Sequence, residues 1–199
     1  MALGNRILIG EDKVNWSNMD SVIEFYETNQ LYFNNFDLLT DIELIIEVLD
    51  IKLTYCKALD SKHRYSKMLP ILEQVIVLLP KIKESDVYER INERYLFNSG
   101  IAYERIKNFK ESQKYFDLLI KKYPEDELYK RWYKSNKNAI WAKNFRILGY
   151  TGVTMVVLII FMQIAHVRYN RIFLMIGVIS IIVGFFIEDV RNAWERIKK

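Results

Sequence analysis

Apolar positions recur at three- and four-residue spacing over most of residues 18–145, then run almost without interruption from 147 to 187. The first pattern is that of helices with one buried stripe. The second is apolar on every face. No stretch sustains strand alternation, so the chain is expected to be all-α. The segment "MDSVIEFYETN" pairs Ser21 with Glu24 at capping-box spacing, with Val22, Phe25 and Tyr26 behind. "TDIELIIEVLDIKLTYCKAL" repeats the device with Thr40 and Glu43, and places Ile42, Ile45, Ile46, Leu49, Leu53 and Cys56 on one stripe. A third segment covers about 62–80, where Pro70 either kinks a helix or starts one. A fourth covers about 85–106 and a fifth about 109–122. A sixth starts after Pro124 and is expected to run on into the first apolar run.

The organisation that follows has four parts: an N-terminal segment (1–17), a helical domain (18–145), a two-helix hairpin (146–190) and a basic amphipathic tail (190–199). Residues 147–167 contain no Asp, Glu, Lys or Arg. As a helix they reach roughly 30 Å, the thickness of a bilayer core. The second run, 172–187, is shorter, roughly 24 Å, and its span is placed at about 172–189. Between them Arg168-Tyr169-Asn170-Arg171 leave room only for a turn, so the two helices are expected to be antiparallel neighbours. Gly149, Gly152, Gly177, Ser180 and Gly184 are the small residues available to bring them together, within one chain or between copies. Gln163 and His166 lie near the end of the first span, and Glu188 and Asp189 follow the second. Water and headgroups reach such positions, which weighs against an ion or proton pathway.

Charge adds an orientation. Residues 1–145 carry 22 Lys/Arg and 22 Asp/Glu, while 146–199 carry 7 and 3, so the whole net charge of +4 sits in the apolar part. Within the helical domain, residues 1–80 are net −5 (7 basic, 12 acidic) and 81–145 net +5 (15 basic, 10 acidic). Lys130, Arg131, Lys134, Lys137, Lys143 and Arg146 precede the first span, and Arg191, Arg196, Lys198 and Lys199 follow the second; the turn holds two arginines. The positive-inside rule then places both termini in the cytoplasm. Trp141, Phe145, Tyr150, Tyr169 and Trp194 fall where an aromatic belt would. In the tail, Val190, Ala193, Trp194 and Ile197 keep helical spacing, as expected of a helix lying on the inner surface. The opening "MALGNRILIG" carries neither a secretory leader nor a myristoylation glycine, and "RIKK" is not a prenylation box. Richness in Lys, Asn, Ile and Tyr points to an AT-rich bacterial genome, and so to the inner membrane.

The fourth and fifth segments carry a further spacing. Leu96, Gly100, Tyr103, Ser112, Phe116, Leu119 and Pro124 fall at offsets 0, 4, 7, 16, 20, 23 and 28. This resembles the tetratricopeptide repeat over about 31 residues, with Ser99 departing from the large apolar residue the pattern has there. The preceding pair matches less well: Cys56 takes a small-residue position, and Met68 stands where a second is wanted. The resemblance implies a helical array presenting a groove to a peptide or partner domain. On the matching repeat, Arg94, Phe97, Asn98, Ile101 and Arg105 would face that groove. Arg94 and Asn98 fit part of a carboxylate-binding pattern, whereas Asp50 and Thr54 occupy the equivalent positions one repeat earlier and weigh against a full clamp.

Catalytic chemistry has little to build on. Two histidines and a lone cysteine do not make a structural zinc site, and no phosphate-binding glycine loop, nucleophile elbow or HExxH occurs. Cys56 lies on an apolar stripe, as a buried core thiol would. "KRWYKSNKNAIWAKNFR" has the aromatic and basic residues of a nucleic-acid surface, but directly before a span it fits an interfacial helix better. The sequence therefore predicts a non-enzymatic membrane adaptor with no cofactor or metal. Its expected partners are a protein or peptide and the lipid bilayer. The alternative is an oligomerising two-span effector or pore former restrained by the helical domain.

Overall fold

We describe the protein from a computed structural model, which covers residues 14–34, 41–164 and 171–197. Among these residues every regular element is helical, and none is a strand. The turn residues 168–170, His166, Thr40 and the last two lysines lie outside them, as does most of the N-terminal segment. The chain divides into two units, Met1–Tyr133 and Lys134–Lys199.

In the first unit, α1 (Met19–Thr28) starts one turn earlier than the Ser21–Glu24 box predicts. Asn18 caps it, its side chain accepting from the Asp20 N–H at 2.9 Å. Ser21 lies inside the helix and accepts from the Asn15 N–H. A short α2 (Gln30–Asn34) follows and buries Phe33. Helix α3 (Ile42–Ser61) is capped by Asp41, which accepts from the Glu43 N–H at 3.0 Å. Ile45, Leu49, Leu53 and Cys56 of the predicted stripe are fully buried, Ile46 is half-buried and Ile42 is exposed. Val48, Ile51, Tyr55, Ala58 and Leu59 are buried as well. The single stripe is too narrow a description because α3 is central, touching α1, α4 and α5.

The helix stops at Ser61, and His63 takes a left-handed φ of 58°. A 3₁₀ turn (Tyr65–Lys67) leads into α4 (Met68–Leu78). Pro70 falls in its first turn, where a missing N–H is harmless, so the proline starts this helix and does not kink it.

Helices α5 (Tyr88–Arg105) and α6 (Phe109–Lys122) carry the tetratricopeptide-like spacing. A Cβ added at Gly100 would lie 2.9 Å from the Phe116 ring. Ser112, fully buried, donates from Oγ to the Gly100 carbonyl at 2.8 Å. Leu96 and Leu119 are buried on either side, Ser99 is buried too, and Pro124 follows the end of α6. Tyr103 of α5 stacks across the pair on Tyr115 of α6, with ring centroids 5.6 Å apart, and Phe116 is the ring that lies against the glycine.

Helix α7 (Glu127–Ile164) is a single element of 38 residues. Asp126 starts it, accepting from the N–H groups of Leu128 and Tyr129 at 2.8 and 3.0 Å. Its C-terminal part is long and apolar enough to cross a membrane. Helix α8 (Arg171–Ile197) runs on through the predicted tail without a break at 190, and its apolar stretch, Ile172–Phe186, is shorter.

Within the second unit these helices meet along a seam of glycines. A Cβ at Gly152 would fall 2.7 Å from the Gly177 carbonyl and 2.9 Å from the Ser180 side chain. One at Gly184 would fall 2.2 Å from the Gly149 nitrogen, and one at Gly177 3.0 Å from Val156. As the position rises from 149 to 156 on α7, its neighbour falls from 184 to 177 on α8, so the helices run antiparallel. Away from the seam the unit exposes large apolar side chains, among them Ile147, Val157, Phe161, Ile172, Met175, Ile179 and Phe186.

Candidate binding cleft

Packing α3 beside α5 leaves an open cleft of about 510 Å³. One wall is a single face of α3, where spacings of four, three and four line up Glu43, Glu47, Asp50 and Thr54. Arg90 and Arg94, one turn apart on α5, form the other wall. Ile46, Ile51 and the half-buried Trp16 supply apolar surface.

The centre is an ion-pair network. Arg90 donates to the Asp50 carboxylate, with Nη2 3.0 Å from Oδ2. Arg94 donates to Asp50 Oδ1 from Nη1, and from Nη2 to Thr54 Oγ1 at 3.0 Å. Thr54 in turn donates to the Asp50 carbonyl at 2.7 Å. Two guanidiniums therefore share one carboxylate, Arg90 facing both of its oxygens and Arg94 one.

The five groove residues expected from the sequence are dispersed by this packing. Arg94 reaches the cleft. Asn98 is buried, its Nδ2 donating to the Arg94 carbonyl at 3.0 Å. Ile101 is 6% exposed and belongs to the core. Phe97 packs within the unit, its centroid 5.5 Å from that of Tyr129 and 6.1 Å from that of Trp132. Arg105 pairs with Asp60 at 3.0 Å and lies 5.6 Å from the centroids of both Tyr65 and Trp132. Sequence reasoning missed Trp16, Glu43, Glu47 and Arg90 as cleft residues. The signal available was the i, i+4 spacing of Glu43–Glu47 and Arg90–Arg94 on adjacent helices.

A second polar cluster lies inside the core. Lys52 is fully buried, and its ammonium donates to Tyr26 Oη at 3.1 Å and Gln74 Oε1 at 2.5 Å. Tyr26 is stacked between Phe33 and Tyr55, at centroid distances of 4.8 and 3.9 Å. Burial pushes the Lys52 ammonium down to about 7, against a weaker opposing effect of Cys56. Burial also raises the Tyr26 hydroxyl and pushes the Cys56 thiol up to about 12, so the cysteine is a protonated core residue at neutral pH. No cluster of His, Cys, Asp and Glu suited to a metal ion occurs among the described residues.

Comparison with protein-family models, with curated proteins and with solved structures gives no significant match.

Proposed function

We propose that the chain is a membrane-anchored adaptor, in which the helical unit captures a protein segment in its cleft and the α7–α8 pair holds the complex at a bilayer. The observation that carries this reading is the contrast in surfaces. Large apolar side chains stand exposed along 147–164 and 172–186, far more than a water-facing surface carries as a contiguous patch. The seam takes up the glycines and leaves those side chains facing outward, as lipid requires. With its outer surface satisfied by lipid, the second unit serves as an anchor. The first unit offers a concave site with both charges and aromatic surface, the usual makings of a recognition cleft. Tetratricopeptide-like use of such a groove, cytoplasmic termini and a bacterial inner membrane complete the proposal, with no enzymatic step and no cofactor.

The test is crosslinking of tagged full-length protein in native membranes, followed by mass spectrometry, beside a Glu43→Lys/Glu47→Lys variant. A distinct protein crosslinked to 43–54 or 90–94 and lost in the variant is the expected result. Self-crosslinks alone, mapped to 147–186 and unchanged in the variant, would favour the oligomerising effector. Protein released from membranes by alkaline carbonate would remove the anchor.

A further inference from the structure

The face of α7 turned away from the glycine seam is not smooth. Ile147, Tyr150, Thr151, Thr154, Met155 and Leu158 line a groove of about 420 Å³ there. Two threonines among larger side chains make the depression. Thr151 donates from Oγ1 to the Leu148 carbonyl at 2.8 Å, and Thr154 to the Tyr150 carbonyl at 3.0 Å. With both hydroxyls turned back onto their own helix, the groove needs no polar partner. Tyr150 forms one side, its ring edge-on to Phe185 with centroids 5.4 Å apart. Ile147 and Leu158 are about 16 Å apart along the helix, so the groove runs from the start of the span into its interior.

Its outer end is polar. Lys143 and Asn144 lie one turn before Ile147, and both are exposed. Arg146 nearby is already engaged, whereas Lys143 is in no ion pair among the described residues. A lysine stem follows apolar surface while its ammonium stays among the headgroups. Resting on the reading of this unit as a membrane anchor, we infer that the groove holds one phospholipid of net negative charge. Its acyl chain lies along Thr151 and Thr154, and its headgroup meets Lys143. A second copy fits less well. Two chains crossing a bilayer in the same direction, paired through this face, would set their Lys143 ammoniums side by side.

The test strips lipid from the full-length protein in detergent and titrates it with phosphatidylglycerol or phosphatidylcholine, counting bound lipids by native mass spectrometry. Wild type is expected to retain one phosphatidylglycerol per chain at concentrations where phosphatidylcholine is lost. Lys143→Gln is expected to weaken phosphatidylglycerol about threefold to fivefold and to leave phosphatidylcholine unchanged. Lys134→Gln, at an exposed lysine about 13 Å further from the span, is expected to change neither. Thr151→Leu/Thr154→Leu fills the groove and should lose both lipids at unchanged helix content. Equal retention of the two lipids by wild type, or retention of neither, overturns the site. Equal weakening by Lys143→Gln and Lys134→Gln overturns it in favour of diffuse surface charge. A lipid-free dimer that Thr151→Leu/Thr154→Leu dissociates gives the groove to a second copy and overturns it too. Each of these results leaves the anchor standing; the anchor itself fails only if alkaline carbonate releases the chain from membranes.

Discussion

The α5–α6 pair and the α7–α8 pair both close on glycine, but they close on different things. At Gly100 the missing side chain makes room for an aromatic ring, and Phe116 disappears from the surface completely. At Gly152 and Gly184 it makes room for backbone, the helices approaching until nitrogen and carbonyl atoms occupy the place of a Cβ, while at Gly149 the ring of Phe185 fills the space. In the first pair, removing apolar area from water supplies the drive, so one large side chain set into a glycine notch is the efficient solution. In the lipid surround proposed for α7 and α8 no such drive exists between helices, and close van der Waals approach is what remains. The same residue type thus serves burial in one unit and proximity in the other, and the outer faces agree: charged and polar over α5 and α6, apolar over 147–186.

Four tests, using five substitutions, probe the comparison. The largest effect is expected from Gly184→Leu, whose side chain would have to occupy the backbone of Gly149. Spin labels at 157 and 176, in a Cys56→Ala background, should give a short, narrow distance in the parent and a longer, broad one in the variant. The helical unit should melt unchanged. Next, Phe116→Ala should destabilise the first unit by about 3–5 kcal/mol, and Gly100→Val by about 1–3 kcal/mol, with the spin-label distance unaltered. Urea titration followed by tyrosine fluorescence reads both. If either change instead opens the α7–α8 pair, the two kinds of packing are not independent.

The third concerns Lys52. Its folded value, about 7, lies below the ordinary lysine value of 10.5, so between these limits the unfolded chain binds more protons than the folded one. Stability from this group is therefore lowest below pH 7 and rises as pH climbs toward 10. Lys52→Met should remove that rise and stabilise the unit at pH 6 by on the order of 2 kcal/mol, read as urea midpoints across pH 6–9.5. A parent midpoint that falls over this range would contradict the neutral-amine picture. The smallest effect is expected at Lys107, which holds a left-handed φ of 63° after α5. Lys107→Gly relieves it and should raise the urea midpoint by an amount equivalent to about 0.5–1 kcal/mol.

What was legible in the sequence follows the range of the interaction. Helix α6 occupies 109–122 as expected, because a turn at Asn108 and the proline at 124 bracket it locally. Gly100, Ser112 and Phe116 were legible as one group because they lie within 16 residues and share a spacing. Helix starts were read less well: Ser21 had the pattern of a cap, but Asn18 offered an equally good oxygen one turn earlier, with Asp20 to favour the first turn. The cleft was not legible, since Asp50 and Arg94 are 44 positions apart. Their equivalence in the repeat spacing suggested that each would face a ligand, whereas packing α3 against α5 turns them on each other. Lys52 gave no sign either. A lysine between Ile51 and Leu53 reads as an exposed position, and its partners, Tyr26 and Gln74, come from other helices.

The glycine seam also constrains how this gene can change in length. One residue inserted into a helix turns everything beyond it by about 100°. An insertion between Gly149 and Gly152, or between Gly177 and Gly184, would carry one glycine of the pair off the contact and present a bulky neighbour instead. Insertions beyond the seam, in the stretch joining α7 to α8, leave both halves of the register intact. Diverged copies of this chain should therefore align without gaps over 149–152 and 177–184, and lengthen or shorten in the connection between the two helices.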